Sequence, residues 1–219
     1  MKIHRAGYPV ILKTIIILLI INAIIYFLWS ENLPFHISVV ASGLLLLFVL
    51  RFFRCPNRKH PELTDKQVVC PADGTVVAIE EIDEQSIVMD KRIQVSIFMS
   101  VWNVHINWIP VSGTIKQVIH FDGNFTRAIT PKSSDLNEHT AVVVNRPQGE
   151  PVMVKQVAGA VARRILTYVK EDDQCAAGDE MGFIRFGSRV DLLLPLDYDV
   201  KVALGQKVVG RKTIIAEQK

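Results

Sequence analysis

Residues 68–82 read VVCPADGTVVAIEEI, two short β-branched runs joined by a Pro-Ala-Asp-Gly turn. This is the pattern of two strands with a tight connection. Similar runs recur between Gly, Asp and Pro to the end of the chain: RIQVSIFM at 92–99, GTIKQVIHF at 113–121, TAVVV at 140–144, VMVKQVAG at 152–159, RILTYV at 164–169, VDLLLP at 190–195 and VKVALGQKVVG at 200–210. No helix-period segment longer than about three turns follows residue 66. The sequence therefore predicts a mainly β fold, an antiparallel barrel or sandwich that is hybrid-barrel-like.

Two apolar runs, Thr14–Trp29 and Leu33–Leu50, precede this β-rich part. Each is close to the roughly 20 residues that cross a hydrocarbon core. A tight turn between them is indicated by Ser30, Glu31, Asn32 and Pro34. We predict helices at about 10–29 and 35–53, forming a transmembrane hairpin over residues 1–53. A cleaved signal peptide is the alternative, but no small-x-small cleavage site follows the first run and a second apolar run comes at once.

The composition fits a membrane hairpin followed by a folded domain. The 219 residues are 49% hydrophobic, which excludes a disordered chain. Residues 1–66 hold eight Lys or Arg against three Asp or Glu, so the basic excess flanks the apolar runs and the rest is slightly acidic. This distribution argues against a nucleic-acid partner and predicts a cell-membrane protein whose domain lies on the cytoplasmic side. Residues 54–66, with two prolines and mixed charges, are predicted to be a linker to a catalytic domain at 67–219.

Common nucleotide and metal motifs are missing from the sequence. It contains neither GxGxxG nor GxxxxGK[ST]. Its three cysteines are widely spaced and odd in number, which predicts neither a disulfide framework nor a zinc site. The histidines of the β-rich part lie too far apart in sequence to propose a metal site from spacing.

The segment 182–195, GFIRFGSRVDLLLP, carries a Gly187-Ser188 pair that leads into an apolar strand. Alone, Gly-Ser is an ordinary turn or strand entry. The nucleophile elbow of a serine hydrolase requires GxSxG followed by a helix, whereas here Val190 stands at the second glycine position and a strand follows. A hydrolase is therefore disfavoured.

The stretch FGSRVDLLLP at 186–195 resembles the self-cleavage segment of the phosphatidylserine decarboxylases, in particular their short membrane-anchored bacterial and archaeal form. Three further blocks agree in order and spacing: MKIHRAGY at 1–8, PADGTV at 71–76 and FMSVWNVHINWIPVSGTI at 98–115. The resemblance spans the whole chain. It implies an enzyme of phospholipid synthesis that converts phosphatidylserine in the membrane to phosphatidylethanolamine and CO2, without a metal.

The resemblance also implies a pyruvoyl cofactor that the chain makes from its own backbone. Ser188 would attack the carbonyl of Gly187, and the chain would split into a β chain, 1–187, and an α chain, 188–219, that remain a heterodimer. Ser188 would become the pyruvoyl group, which forms a Schiff base with the substrate amine and takes up the electrons released with CO2. Gly187 suits this step because it lacks a Cβ, and attack within one peptide unit has a high effective molarity.

By the same resemblance, Asp73 and His105 complete a Ser-His-Asp arrangement in which the histidine takes the hydroxyl proton of Ser188 and the aspartate orients the histidine. Read without the resemblance, Asp73 belongs to a hairpin turn and His105 is a partly buried strand residue.

The chain departs from longer members of that family at one position. Those members carry a second histidine three residues after the first, and here Trp108 occupies that place. Whether His105 alone serves both self-cleavage and the later protonation of the carbanion, or whether His120 or His139 contributes, is left open by the sequence.

Arg185 and Arg189 flank the Gly-Ser pair and could bind the substrate phosphate or carboxylate, since guanidinium pairs well with both. Solvated charges at the rim of the site are an equal alternative.

Two functions of other classes stay open beside the decarboxylase. One is a non-catalytic, membrane-anchored module of the biotinyl or lipoyl carrier type, since ADGTV and VALGQKVVG resemble the hairpins of such domains, although no lysine lies in a modification turn. The other is a membrane-bound serine hydrolase that uses Ser188.

Overall fold

The computed structural model describes residues 2–59, 61–123, 137–159, 164–185 and 188–219. Its contacts divide the chain into two units, Met1–Asn57 and Arg58–Lys219. The first holds two apolar helices and the second is built of antiparallel strands, so the predicted mainly β fold preceded by two apolar helices is confirmed.

The two helices of the first unit are α1 (Tyr8–Trp29) and α2 (Leu33–Phe52), preceded by a 3-10 turn at Arg5–Gly7. Both are long and apolar enough to cross a membrane. Each begins about two residues earlier than predicted, because Pro9 and Pro34 lie inside the first helical turn. Proline is tolerated there since that turn leaves its N–H groups unpaired. The placement of Pro34 in the interhelical turn was therefore wrong.

Hydrogen bonds join the two arms of the hairpin near its middle and at its base. Near the middle, the Asn22 amide donates to the Ser42 hydroxyl (2.8 Å) and accepts from the Ser38 hydroxyl (2.8 Å). At the base, β1 (Lys2–Ile3) pairs with β2 (Arg54–Cys55). The segments before α1 and after α2 are thus hydrogen-bonded to each other, so the chain enters and leaves the hairpin on the same side.

In the described part of the chain, the second unit contains three antiparallel sheets. Their strands are β3 (Gln67–Val69), β4 (Gly74–Glu84), β5 (Asp90–Met99), β6 (Ile106–Trp108), β7 (Gly113–Phe121), β8 (His139–Asn145), β9 (Val152–Ala158), β10 (Ile165–Thr167), β11 (Gln174–Cys175), β12 (Glu180–Ile184), β13 (Ser188–Leu194), β14 (Tyr198–Val200), β15 (Lys207–Val208) and β16 (Ile214–Gln218). An eight-stranded sheet, ordered β11-β7-β8-β9-β13-β5-β4-β15, curls into a half-barrel. Two three-stranded sheets, β10-β12-β6 and β14-β16-β3, complete the unit.

The main core lies between one face of the eight-stranded sheet and the two smaller sheets. Strand β13 is central in the large sheet, and every residue of it is buried. Val190, Leu192 and Leu194 face the main core, whereas Leu193 packs in a smaller cluster on the opposite face. Because side chains alternate along a strand, Ser188 faces the main core, and Arg189 lies on the opposite face.

The β4–β5 hairpin is held by Glu84, whose buried carboxylate accepts from the backbone N–H groups of Ser86, Ile87 and Val88 and lies 3.5 Å from the Lys155 ammonium. Burial alone would raise its pKa, but these hydrogen bonds, that of the Ser86 hydroxyl and the nearby lysine lower the pKa of Glu84 to about 2. The carboxylate therefore stabilises the fold above its ordinary pKa of 4.5, and this stabilisation is lost as the pH falls toward 2.

Glu84→Gln should remove part of the acid sensitivity of the fold. We expect the variant to lose about 1–2 kcal/mol of unfolding free energy at pH 7 and to show a flatter pH dependence between pH 4.5 and 2. Circular dichroism of the detergent-solubilised chain across an acid titration measures this. The control is Glu81→Gln on the exposed side of β4, which should match the parent; an unchanged acid transition in Glu84→Gln would contradict the assignment.

Candidate active site

Several strand ends meet at one edge of the eight-stranded sheet. Ser188, the first residue of β13, pairs with Met99 at the end of β5 and with Ala158 at the end of β9. Gly74 begins β4 next to the end of β5, with Thr75 paired to Phe98. We call this the Ser188 edge, defined by Ser188, Met99, Ala158 and Gly74. Asp73 directly precedes β4, and His105 follows β5 after a short turn, so the three predicted residues lie in segments that begin or end next to this edge.

The Ser188 side chain is fully buried. Its hydroxyl donates to the Met99 sulfur at 3.5 Å, and a thioether is only a weak acceptor. This contact orients the hydroxyl without activating it as a nucleophile. A strand follows Ser188 rather than a helix, as the sequence predicted, so the geometry of a hydrolase elbow is not formed. Gly187 lies outside the described residues.

His105 is completely buried just before β6, and its ring lies 6.3 Å from that of Phe183. Its Nδ1 atom is 3.1 Å from the carbonyl oxygen of Asn103. Because a carbonyl oxygen only accepts, Nδ1 carries the proton in this contact, and Nε2 is the basic nitrogen of the neutral ring. The Asn103 carbonyl thus orients the His105 ring in the described structure, and the orienting role of Asp73 stays a prediction.

The Asp73 side chain is hydrogen-bonded to Arg58 and Gly210. Its carboxylate forms a bidentate pair with Arg58, with oxygen–nitrogen distances of 2.5 and 2.7 Å, and accepts from the backbone N–H of Gly210 at 2.8 Å. The Arg58 guanidinium also donates to the Gly210 carbonyl and lies over the Trp108 ring, 5.4 Å from its centroid. Trp108, which replaces the second histidine of longer family members, therefore packs against the arginine that holds Asp73. The role of Asp73 in self-cleavage stays a prediction.

The other two histidines differ in their positions. His120 on β7 is largely exposed, with Nδ1 2.9 Å from the Thr140 hydroxyl oxygen. His139 at the start of β8 is buried, stacked on Phe121 with ring centroids 4.6 Å apart. Ala141 and Val143 of the same strand pack on the face opposite to the main core. Alternation places His139 on that face as well, away from the Ser188 side chain, so the geometry favours His105.

The two arginines beside the Gly-Ser pair have different surroundings. Arg189 is 1% exposed, and its guanidinium donates to Asp191 (2.5 Å) and to the Ser96 hydroxyl (2.8 Å). Its charge is thus compensated inside the sheet, and substrate binding by Arg189 stays a prediction. Arg185 is half-buried, and burial together with the nearby Arg164 lowers its pKa.

Sequence reasoning missed the polar residues that surround Ser188 and Asp73. Arg58 lies in the segment 54–66, which the sequence predicts to be a mixed-charge linker. Asn107 lies between apolar neighbours in β6, and Gln156 occupies a core-facing position of the strand VMVKQVA at 152–158, whose other core-facing residues are apolar. A polar residue in the apolar phase of a strand was the signal that could have identified Gln156. Within the described residues, no group of three or more His, Cys, Asp or Glu is placed to hold a metal ion.

Comparison with known proteins gives consistent matches over the chain. The phosphatidylserine decarboxylase family profile matches residues 45–216. A protein of Bacteroides thetaiotaomicron named phosphatidylserine decarboxylase proenzyme is 48% identical over 218 residues, which cover 100% of this chain and 96% of that protein. Proteins of the same name from Phocaeicola vulgatus and Cytophaga hutchinsonii are each 46% identical, covering 100% and 99% of this chain and 96% and 99% of their own length.

Proposed function

The chain belongs to the phosphatidylserine decarboxylase family, and we propose that it converts phosphatidylserine to phosphatidylethanolamine and CO2 with a carbonyl group made from its own Ser188. The observation that carries the proposal is the position of Ser188, which is buried at the start of a central strand. The relatives that match this chain over nearly their whole length are named proenzymes.

Self-cleavage requires only groups of the chain and water. The Ser188 hydroxyl oxygen bonds to the carbonyl carbon of Gly187, the peptide C–N bond breaks, and the nitrogen takes a proton, which gives an ester. A base then removes the Cα proton of Ser188, the Cβ–O bond breaks, and Gly187 leaves as a carboxylate. Water hydrolyses the resulting dehydroalanine, releasing ammonia and leaving a pyruvoyl group at position 188.

The residues around Ser188 fit such a group. Strand β13 is hydrogen-bonded on both sides, to β5 and β9, so its first residue would stay in place after the chain is cut. The α chain would also supply β14, β15 and β16, and the last two pair with β4 and β3 of the β chain. These pairings support a permanent heterodimer of the two products. When present, the pyruvoyl carbonyl supplies the electron acceptor that decarboxylation of an amino acid needs.

We assign the proton transfers to His105. With Nδ1 bonded to the Asn103 carbonyl oxygen, Nε2 would take the hydroxyl proton of Ser188 during self-cleavage. In the mature enzyme the same nitrogen would return a proton to the former α-carbon of the substrate. Arg185, half-buried near Arg164, would bind the phosphate or carboxylate of the head group, because an anion relieves the repulsion between two guanidinium groups.

The two apolar helices would anchor the enzyme in the membrane that contains its substrate. Phosphatidylserine is confined to the bilayer, and two helices long enough to span it would keep the catalytic unit at the membrane surface. The chain enters and leaves the hairpin on one side, and the Lys and Arg residues that flank it favour the cytoplasmic side.

The proposal is tested by the intact mass of the protein extracted from salt-washed membranes. We expect two polypeptides, 1–187 and 188–219, both retained on the membrane. The smaller one should be blocked to N-terminal sequencing and lighter than the unmodified 188–219 peptide by one ammonia, because a carbonyl replaces its amino group. A single uncut chain that still decarboxylates phosphatidylserine would refute self-cleavage, and an uncut, inactive chain would refute the whole proposal.

A further inference from the structure

A row of polar side chains, two of them fully buried and one half-buried, connects the small β10-β12-β6 sheet to the large sheet close to Ser188. In the small sheet, Thr167 pairs with Gly182, and Gly182 pairs with Asn107. Across the core, the Gln156 amide oxygen accepts from the Thr167 hydroxyl at 2.9 Å, and its nitrogen donates to the Asn107 amide oxygen at 2.8 Å. We call Thr167, Gln156 and Asn107 the amide clamp.

Gly182 leaves the space that the amide clamp occupies. A Cβ at this position would lie 2.7 Å from the Gln156 amide nitrogen and 2.2 Å from the backbone oxygen of Leu166. Since real Cβ atoms do not approach other atoms so closely, only glycine allows the Gln156 side chain to lie across this strand and reach both neighbours. Glycine at position 182 therefore leaves room both for the backbone of β10 and for the Gln156 side chain.

The clamp ends at the sulfur that holds the Ser188 hydroxyl. The Asn107 amide nitrogen donates to the Met99 sulfur at 3.6 Å, and the Ser188 hydroxyl donates to the same atom at 3.5 Å. Asn107, Gln156, Met99 and Ser188 are all fully buried. A chain of hydrogen bonds therefore runs from Thr167 to the sulfur beside the proposed nucleophile, with the rotation of each amide fixed by the previous bond.

The clamp also fixes the strand that follows His105. Asn107 lies in β6, which begins directly after His105, and Gln156 lies in β9, the neighbour of β13. The Gln156–Asn107 hydrogen bond thus limits the separation of β6, which directly follows the proposed base, from β9, which is paired with the strand of Ser188. Small displacements of a nucleophile and its base are costly in rate.

We propose that Thr167, Gln156 and Asn107 are positioning residues for self-cleavage: they fix the Met99 sulfur, and through it the Ser188 hydroxyl, and they set the separation of Ser188 from His105. This inference rests on the proposed self-cleavage and adds to it residues that neither react nor touch the substrate.

The test compares two substitutions of Thr167. Thr167→Val removes the hydroxyl that orients Gln156 while keeping the side-chain volume, and Thr167→Ser keeps the hydroxyl. In cell-free translation with detergent, we expect the 188–219 fragment of Thr167→Val to form at least about tenfold more slowly than that of the parent, and Thr167→Ser to stay within about twofold of the parent. The control is Thr114→Val, which removes a half-buried hydroxyl that accepts from the Gln174 amide nitrogen at 2.8 Å in the β7–β11 pair; it should cleave like the parent.

A double variant tests the route through the sulfur. Met99→Leu keeps the volume and removes the acceptor, so it should slow cleavage, and Met99→Leu combined with Thr167→Val should be no slower than the slower single variant. Unfolding temperatures of all variants separate rate from stability. Equal cleavage by Thr167→Val and Thr167→Ser, or multiplied effects in the double variant, would overturn this inference. Failure of the parent chain to cleave would instead refute the proposed function.

Discussion

Ser188→Ala is expected to leave the chain uncut and without decarboxylase activity while the fold is preserved. The substitution removes one oxygen atom whose contact in the described structure is a weak hydrogen bond to the Met99 sulfur. Alanine fits the site, because Ser188 pairs with Ala158 through the backbone and faces an apolar core. Both proposed reactions are lost at once, since the oxygen is the nucleophile of self-cleavage and the modified residue is the source of the carbonyl group.

Electrophoresis and intact mass measure cleavage, and release of CO2 from phosphatidylserine in detergent micelles measures activity. Ser188→Cys keeps a nucleophile whose sulfur can also leave, so slow cleavage is expected. Ser96→Ala is the matched control: Ser96 is equally buried, and its hydroxyl accepts from Arg189, so its loss should lower stability yet permit cleavage. Decarboxylation by an uncut Ser188→Ala chain would contradict the mechanism.

The mainly β fold could be predicted from local sequence patterns, because turn residues separate its strands. The run VDLLLP at 190–195 predicted a strand, and the structure places it in the centre of the large sheet with both faces buried. Asp191, the polar exception in this run, is explained by Arg189 two residues earlier on the same face. Such a local pair is visible in sequence. The helix starts were misplaced only where proline belongs to the first turn.

The surroundings of the site depend on contacts between distant residues, which no local pattern encodes. Met99 and Ser188 are brought together only when β5 pairs with β13, and Gln156 meets Asn107 only across the core. The resemblance pointed to Ser188, Asp73 and His105, but it could not show that Asp73 is bonded to Arg58 or that the Asn103 carbonyl contacts His105. Both depend on how β4 and the turn after β5 are packed.

Arg58→Met is expected to lower the free energy of unfolding by about 3–5 kcal/mol, because it leaves the Asp73 carboxylate buried without its partner. The two side chains are only 13% and 9% exposed, and the pair is bidentate. Adding Asp73→Asn to Arg58→Met removes the unpaired charge while an amide oxygen still accepts from the Gly210 N–H. The double variant should therefore regain much of the lost stability. Thermal unfolding of the solubilised chain measures this, and Lys201→Met, which breaks an exposed pair with Asp199, should cause no measurable loss.

The same two variants separate the structural role of Asp73 from its proposed role in self-cleavage. Arg58→Met retains the carboxylate, so it should still be cut at temperatures where it is folded. The double variant is stable but lacks the carboxylate, and we expect it to stay uncut if Asp73 assists the reaction of Ser188, as the family resemblance implies. Its hydrogen bonds to Arg58 would then have to rearrange before the reaction, because the described contacts direct the carboxylate toward Arg58 and Gly210. Normal cleavage of the folded double variant would instead confine Asp73 to holding the start of β4, and would leave the Asn103 carbonyl as the group that orients His105.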